Sequence, residues 1–254
     1  MDPRILQRRV DVSREQGRRR LKVVVVLVVV VTLTAGIFAV FHSPLLAARR
    51  VTVEGAIRTP TTDVLRAAGL IGGPPMIDVS PATSAAKVDK LPWVASATVS
   101  RHWPDGVTVA IVERIAVATI VRSSGGYATL DAKGRVLNWT PTPTPGLVQL
   151  VASVAVGRPG STLPGAAGSG LMVANVIPSV LSGRVTTVQV LPDGMVDLLL
   201  SDGLTATLGS SDQLPAKMEA LASVLAGGNL QGAKFVDVSI PQEPTVGPTM
   251  SGPS

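Results

Sequence analysis

Residues 93–114 read WVASATVSRHWPDGVTVAIVER, and this stretch decides the fold. From Trp93 to Arg101 apolar and small polar residues alternate, the pattern of a strand with one buried face. Trp103-Pro104-Asp105-Gly106 is a reversal: proline presets φ, and Asp-Gly suits the tight turn. Val107, Val109 and Ile111 then share one face of a returning strand. Two strands cannot bury that face alone, so the chain upstream must supply the rest. Arg50-Val51-Thr52-Val53-Glu54-Gly55 alternates again and stops at glycine. Thr61 is a helix N-cap, Asp63 sits in the first turn, Val64, Leu65 and Ala68 form an apolar face, and Gly69 ends the helix. Gly72-Gly73-Pro74-Pro75 interrupts. Ser80-Pro81 sets a capping hydroxyl before a proline at the first helical position. That second helix is predicted to run to about Lys90, with Val88 and Leu91 inward and Pro92 as its stop. The order is strand, helix, helix, strand, strand, and both helices are expected on one side of the sheet. The unit is bounded at residues 49–118.

Before it lies the longest apolar run, VVVVLVVVVTLTAGIFAVF at 23–41, nineteen residues without a charge. At ~1.5 Å per residue a helix of this length covers roughly 28 Å, the hydrocarbon thickness of a bilayer. Beta-branched residues are mediocre helix formers in water, but in lipid a lone segment must satisfy its own backbone. Residues 1–22 carry eight basic and three acidic side chains, net +5 out of +6 for the whole chain. A cationic flank keeps its side cytoplasmic, which gives an N-in, C-out single-pass anchor. A cleaved signal is the rival. Its apolar core is usually 7–15 residues, and Leu46-Ala47-Ala48 places a bulky side chain where a small one is preferred.

Downstream, Tyr127–Leu137 reads as a hairpin around Asp131-Ala132-Lys133-Gly134. Leu147–Leu150 is a short apolar segment. Residues 166–182 are predicted as a helix with Leu171, Ala174 and Leu181 on one face and a kink at Pro178. Val185–Leu191, Met195–Leu200 and Leu204–Leu208 are three strands, joined at Pro192-Asp193-Gly194 and Ser201-Asp202-Gly203. A helix opens at Pro215 with Met218, Leu221, Ala222 and Leu225 as its stripe; Lys217 lies off the stripe and is expected in solvent. Lys234–Ile240 is the last strand, and residues 242–254 are expected to be disordered. The fold class is α+β: one transmembrane helix, a β-α-α-β-β domain, and a beta-rich domain with two helices at 119–241.

Several of these segments carry a family resemblance. Val51-Thr52-Val53-Glu54-Gly55, Leu91-Pro92-Trp93-Val94, Val99-Ser100-Arg101-His102-Trp103-Pro104 and Val109-Ala110-Ile111-Val112-Glu113-Arg114 resemble, in order and spacing, the POTRA domain of the FtsQ/DivIB bacterial cell-division proteins. The Tyr127–Leu137 hairpin is similar to the one that opens that family's second domain, and the Lys-bearing helix and closing Val-Asp-Val strand continue the likeness. The resemblance implies a non-enzymatic, membrane-anchored divisome scaffold at the septum. It implies partners among divisome proteins, above all the FtsB and FtsL type coiled-coil proteins. It places their contact at the end of the beta domain, on Lys234, Phe235, Val236, Asp237 and Val238. The same side chains also fit a plain core role, since alternate residues of a half-exposed strand face inward. Glu113 and Arg114 are read as a local pair rather than a partner surface.

Chemistry is sparse. There is no cysteine, hence no thiol nucleophile and no thiolate metal site. The two histidines, His42 and His102, form no catalytic set with an identifiable partner. Ser84-Ala85-Ala86-Lys87 matches the Ser-x-x-Lys nucleophile motif, and a membrane-anchored serine-type cell-wall acyl-transferase or hydrolase is the alternative function. Its companion motifs are missing: Ser201-Asp202 is followed by Gly, and no Lys-Thr-Gly occurs. The glycine pairs at 72–73, 125–126 and 227–228 lack a phosphate-loop pattern. Seven aromatic residues offer no stacking platform for nucleic acid. No cofactor, metal or small-molecule substrate is expected; the partners are membrane lipid and proteins.

Overall fold

The computed structural model describes residues 22–39, 46–227, 230 and 232–248. Val40, Phe41, His42, Gly228 and nearly all of the basic tail lie outside them. Helix α1 (Lys22–Ala39) has a mean hydropathy of 2.6 over its 18 residues, and none of it is buried. Thr34 satisfies its hydroxyl within the helix, Oγ1 donating to the Val30 carbonyl at 2.8 Å.

The described chain divides into two compact units. The first takes the chain up to Glu54, Thr61–Lys87 and Ala97–Ala110. The second takes Gly55–Pro60, Val88–Ser96 and everything from Ile111. Strand β1 (Arg50–Glu54), helices α2 (Thr61–Ala68) and α3 (Pro81–Val88), and strands β2 (Val94–His102) and β3 (Gly106–Glu113) follow in the order read from the sequence. They build a three-stranded sheet, β1-β3-β2. Strand β1 runs parallel to β3, with Val51 opposite Val107 and Val53 opposite Val109. Within the first unit Val64, Ala68, Leu70, Met76, Val79, Val99, Val107 and Val109 are buried. The two helices are tied by a hydrogen bond from Ser84 Oγ to the Ala68 carbonyl at 2.8 Å. Helix α3 stops at Val88, short of Lys90, so Leu91 is only half-buried.

The second unit holds a nine-stranded sheet. Its strands are β4 (Ala116–Val121), β5 (Tyr127–Asp131), β6 (Val136–Thr140), β7 (Val148–Val151), β8 (Val185–Val190), β9 (Val196–Leu200), β10 (Thr205–Gly209), β11 (Phe235–Asp237) and β12 (Thr245–Gly247). The spatial order is β12-β11-β10-β9-β8-β7-β4-β5-β6. Ile120, Leu150, Val188, Leu198, Ala206 and Val236 lie directly opposite one another across six strands. All six are at most 1% exposed. At about 1.5–3 kcal/mol per fully buried large side chain, this row is the spine of the unit. Helix α4 (Gly168–Val176) lies over β4, β7, β8 and β9 and touches α5 (Leu214–Gly227), which lies over β10. Both helices therefore cover one face. Gly170 permits the close approach of α4: a Cβ there would sit 2.5 Å from Leu150 Cδ1 and from Val190 Cγ2.

Three expectations are corrected here. The helix predicted over 166–182 ends at Val176, and Pro178 is not a kink within it. Ile177 is extended (ψ 116°) because proline disfavours helical backbone in the residue before it. Leu181 is buried even so, from the turn that follows. The last long strand, expected over 234–240, is ladder-paired only over Phe235–Asp237. Within the segment 242–254 expected to be disordered, Thr245–Gly247 form β12, paired antiparallel with β11; residues 249–254 lie outside the described residues.

Candidate functional site

The segment from Lys234 to Val238, where the resemblance places partner contact, is not the free edge of the sheet. The structure places β11 inside it, parallel to β10 on one side and antiparallel to β12 on the other. Phe235, Val236 and Val238 are buried, Asp237 is half-buried, and Lys234 is exposed. Val236 and Val238 fill the core beneath the helical layer, as alternate strand residues must, while Phe235 turns to the opposite face and lies against Gly247. The edge lies one strand further out, at Thr245-Val246-Gly247. Pro244 and Pro248 flank it and cannot donate to a ladder, which holds the strand to three residues. Gly247 is required at its end: a Cβ there would lie 2.6 Å from Phe235 Cε1. Val246 is 43% exposed. An edge of this kind carries backbone groups that a strand from another protein can engage.

Beside it, on the face away from the helices, Asp197, Thr207 and Asp237 align across β9, β10 and β11. Burial pushes the Asp197 carboxyl up; a hydrogen bond from Thr207 opposes this, and the charges of Asp237 and Asp193 add to it. Asp237 Oδ1 accepts from the Ser239 N–H at 2.8 Å. This end of the sheet is thus acidic.

Lys217 is the residue most misread in sequence. It was expected in solvent and is 2% exposed. Its Nζ donates to Asp212 Oδ1 at 2.7 Å and to the Ser210 carbonyl at 2.9 Å. The ammonium holds the exposed Asp212 carboxyl below its ordinary range. Lys217 thereby pins the link from β10 to α5, and Gly209 at its start packs against Ser239 just past β11.

Glu113 and Arg114 act locally, but not on each other. The Glu113 carboxylate accepts from the backbone N–H groups of Ile57 (3.2 Å), Arg58 (2.9 Å) and Thr59 (2.7 Å). Burial raises its carboxyl; the Thr59 side chain beside it and the N–H groups of Arg58, Thr59 and Ile57 outweigh that, so it titrates below its ordinary value. A depressed folded value stabilises the fold above the unfolded value, and the contribution fades as pH falls through the folded one. Glu113→Gln should therefore cost about 1 kcal/mol at pH 7. Its stability curve should also be flatter than the wild type's below about pH 4, where free Glu protonates. Urea titrations at pH 7, 5 and 3 read both effects. Arg114 instead pairs with Asp131 at 2.8 Å.

The Ser-x-x-Lys motif is spent structurally. Ser84 is buried and its hydroxyl proton is committed to Ala68, while Lys87 points to solvent. His102 is exposed at the end of β2. Among the described residues no three His, Asp or Glu side chains cluster to hold a metal.

Comparison with known proteins matches the same architecture. Residues 46–114 fit the family described as POTRA domain, FtsQ-type, and residues 118–239 fit Cell division protein FtsQ/DivIB, C-terminal. Cell division protein FtsQ of Streptomyces collinus is 30% identical over 91% of this chain and 90% of its own length. The protein of the same name from Corynebacterium glutamicum is 31% identical over 81% of this chain and 90% of its own. That of Mycobacterium leprae is 28% identical over 82% of this chain but only 58% of its own length. With a β-α-α-β-β unit, a helix-covered sheet and full-length relatives all agreeing, the chain belongs to the FtsQ/DivIB family of bacterial cell-division proteins.

Proposed function

We propose that this chain is a single-pass, non-enzymatic scaffold of the divisome, linking early and late division proteins to septal peptidoglycan synthesis. Its basic tail stays in the cytoplasm, and the POTRA module (49–118) and beta domain (119–241) stand outside it at the septum. FtsB and FtsL type coiled-coil proteins dock by adding a strand to the sheet at its C-terminal end. The observation that carries this reading is the short edge strand Thr245–Gly247, backed by the buried β11 and flanked by prolines. Lys234 and Asp237 lie beside that edge, while Val236 and Val238 support it from the core and Phe235 backs it on the other face.

The test is co-purification of the detergent-solubilised full chain with an FtsB–FtsL type pair. Val246→Asp puts a charge on the edge at a 43% exposed position, opposite the buried Val236. Capture should fall at least tenfold, a difference of about 1.4 kcal/mol, with the thermal midpoint unchanged. Undiminished capture by the folded variant would contradict edge docking.

A further inference from the structure

We infer that the end of the first unit nearest the span rests on the bilayer surface, with Ile71, Ile77 and Trp103 entering the interfacial layer and Arg49 meeting lipid phosphates. The inference depends on the span being retained in the membrane and is independent of the division role.

The geometry begins where the chain re-enters the described structure. Met76 N–H donates to the Leu46 carbonyl at 2.8 Å, and Ala48 N–H to the Pro74 carbonyl at 2.9 Å. Ala47 bridges Pro75 between them. The 70–77 loop is thus stitched to the first residues after the span. Immediately after, the N–H groups of Arg49 and Arg50 both donate to the Asp105 carbonyl, at 3.0 and 3.1 Å. That contact brings the β2–β3 turn, and Trp103 with it, to the same end of the unit. Only residues 40–45 separate Ala39 from Leu46. At about 3.5 Å per residue, the seven steps reach no more than roughly 25 Å.

What is gathered there suits a lipid surface. Ile71, Ile77 and Trp103 are 59%, 46% and 52% exposed. Their exposure belongs to a structured loop. Gly73 N–H donates to the Leu70 carbonyl, and an Arg101 guanidinium N–H donates to the Met76 carbonyl at 3.3 Å. Gly72 and Gly73 hold positive φ of 84° and 65°. Tryptophan prefers the headgroup level of a bilayer, and aliphatic side chains gain by leaving water. Arg50 pairs with Asp105, and the exposed Arg49 beside it is, among the described residues, a cation close enough to the span to meet phosphate. Tethering within a few nanometres makes the lipid surface a permanent neighbour of this patch.

The absence of cysteine makes the test direct. Ile71→Cys, Ile77→Cys and, as an exposed reference, Ile240→Cys are each labelled with bimane in the full chain. The protein is placed in nanodiscs of phosphatidylglycerol and phosphatidylethanolamine, with and without doxyl groups high on the acyl chains. Doxyl quenching at 71 and 77 is expected to be at least twofold that at 240, with iodide quenching reduced to match. A label carried on Trp103→Cys should lose its doxyl quenching when Ile71→Asp and Ile77→Asp are added. Labels at 71 and 77 that iodide reaches as readily as 240, in protein that enters the discs, overturn the docking alone. Protein that does not enter the discs overturns the retained span and the docking with it.

Discussion

Asp131→Ala is expected to lower the stability of the second unit by about 3–5 kcal/mol, the range for breaking a buried ion pair from one side. Asp131 is 4% exposed, and its carboxylate does two jobs. Oδ1 accepts from the N–H groups of Lys133 (2.9 Å) and Arg135 (2.8 Å), which sets the β5–β6 turn. Oδ2 accepts from Arg114 at 2.8 Å. Arg114 also donates to the Val94 carbonyl at 2.9 Å, and Arg135 to the Lys90 carbonyl at 3.0 Å. Removing the carboxylate leaves two turn N–H groups unmet and the half-buried Arg114 guanidinium without its counter-charge. Asp131→Asn keeps one acceptor but loses the charge, and should cost less, about 1–3 kcal/mol. At roughly 2–4 °C per kcal/mol for a chain of this size, the alanine variant should melt about 10 °C below wild type. Thermal scans of the three proteins in detergent read the order; equal midpoints would mean the network contributes nothing.

Lys217→Ala is expected to cost about 2–4 kcal/mol, as a buried truncation that also strands the acceptors of the 209–213 link. Lys217→Met separates the two parts, since it keeps the buried stem and drops only the ammonium. It should recover roughly half of the loss. Asp212 is 63% exposed on its side chain, so it stays hydrated when its partner leaves, and the electrostatic share is modest. Because Gly209 packs on Ser239, loosening this link should reach the C-terminal edge as well. Amide exchange at 207–214 and 235–239 should accelerate together in Lys217→Ala, and much less in Lys217→Met. Exchange confined to 207–214 would show that the edge is held independently.

Where residues state their own environment, the sequence was a sufficient guide. The 93–111 hairpin alternates apolar and small polar residues and sets Val107, Val109 and Ile111 on one face after a Pro-Asp-Gly turn, and β1, α2 and α3 have caps and stops that leave little choice. The strands at 185–208 are likewise delimited by Asp-Gly turns. Lys217 was opaque because its role depends on Ser210 and Asp212, upstream of the helix. A helical stripe counts apolar neighbours and is blind to a buried amine that finds its acceptors in the preceding loop. Pro178 was legible as a helix breaker, but the sequence did not show that the break would be complete. Strand β12 was invisible for another reason. Thr-Val-Gly between two prolines is too short to alternate, and it becomes a strand only because β11 offers an edge and Phe235 leaves room for a glycine. The contact that the resemblance implies falls on β11, one strand in from the border that β12 forms among the described residues.

Amide hydrogen exchange of the full chain, alone and with an FtsB–FtsL type pair, probes the edge most directly. Added partner should slow exchange at Thr245–Gly247 and at Lys234–Val238 behind it, and leave α4 and the 127–140 hairpin unchanged. Protection elsewhere with no change at Thr245–Gly247 would contradict docking at the C-terminal edge.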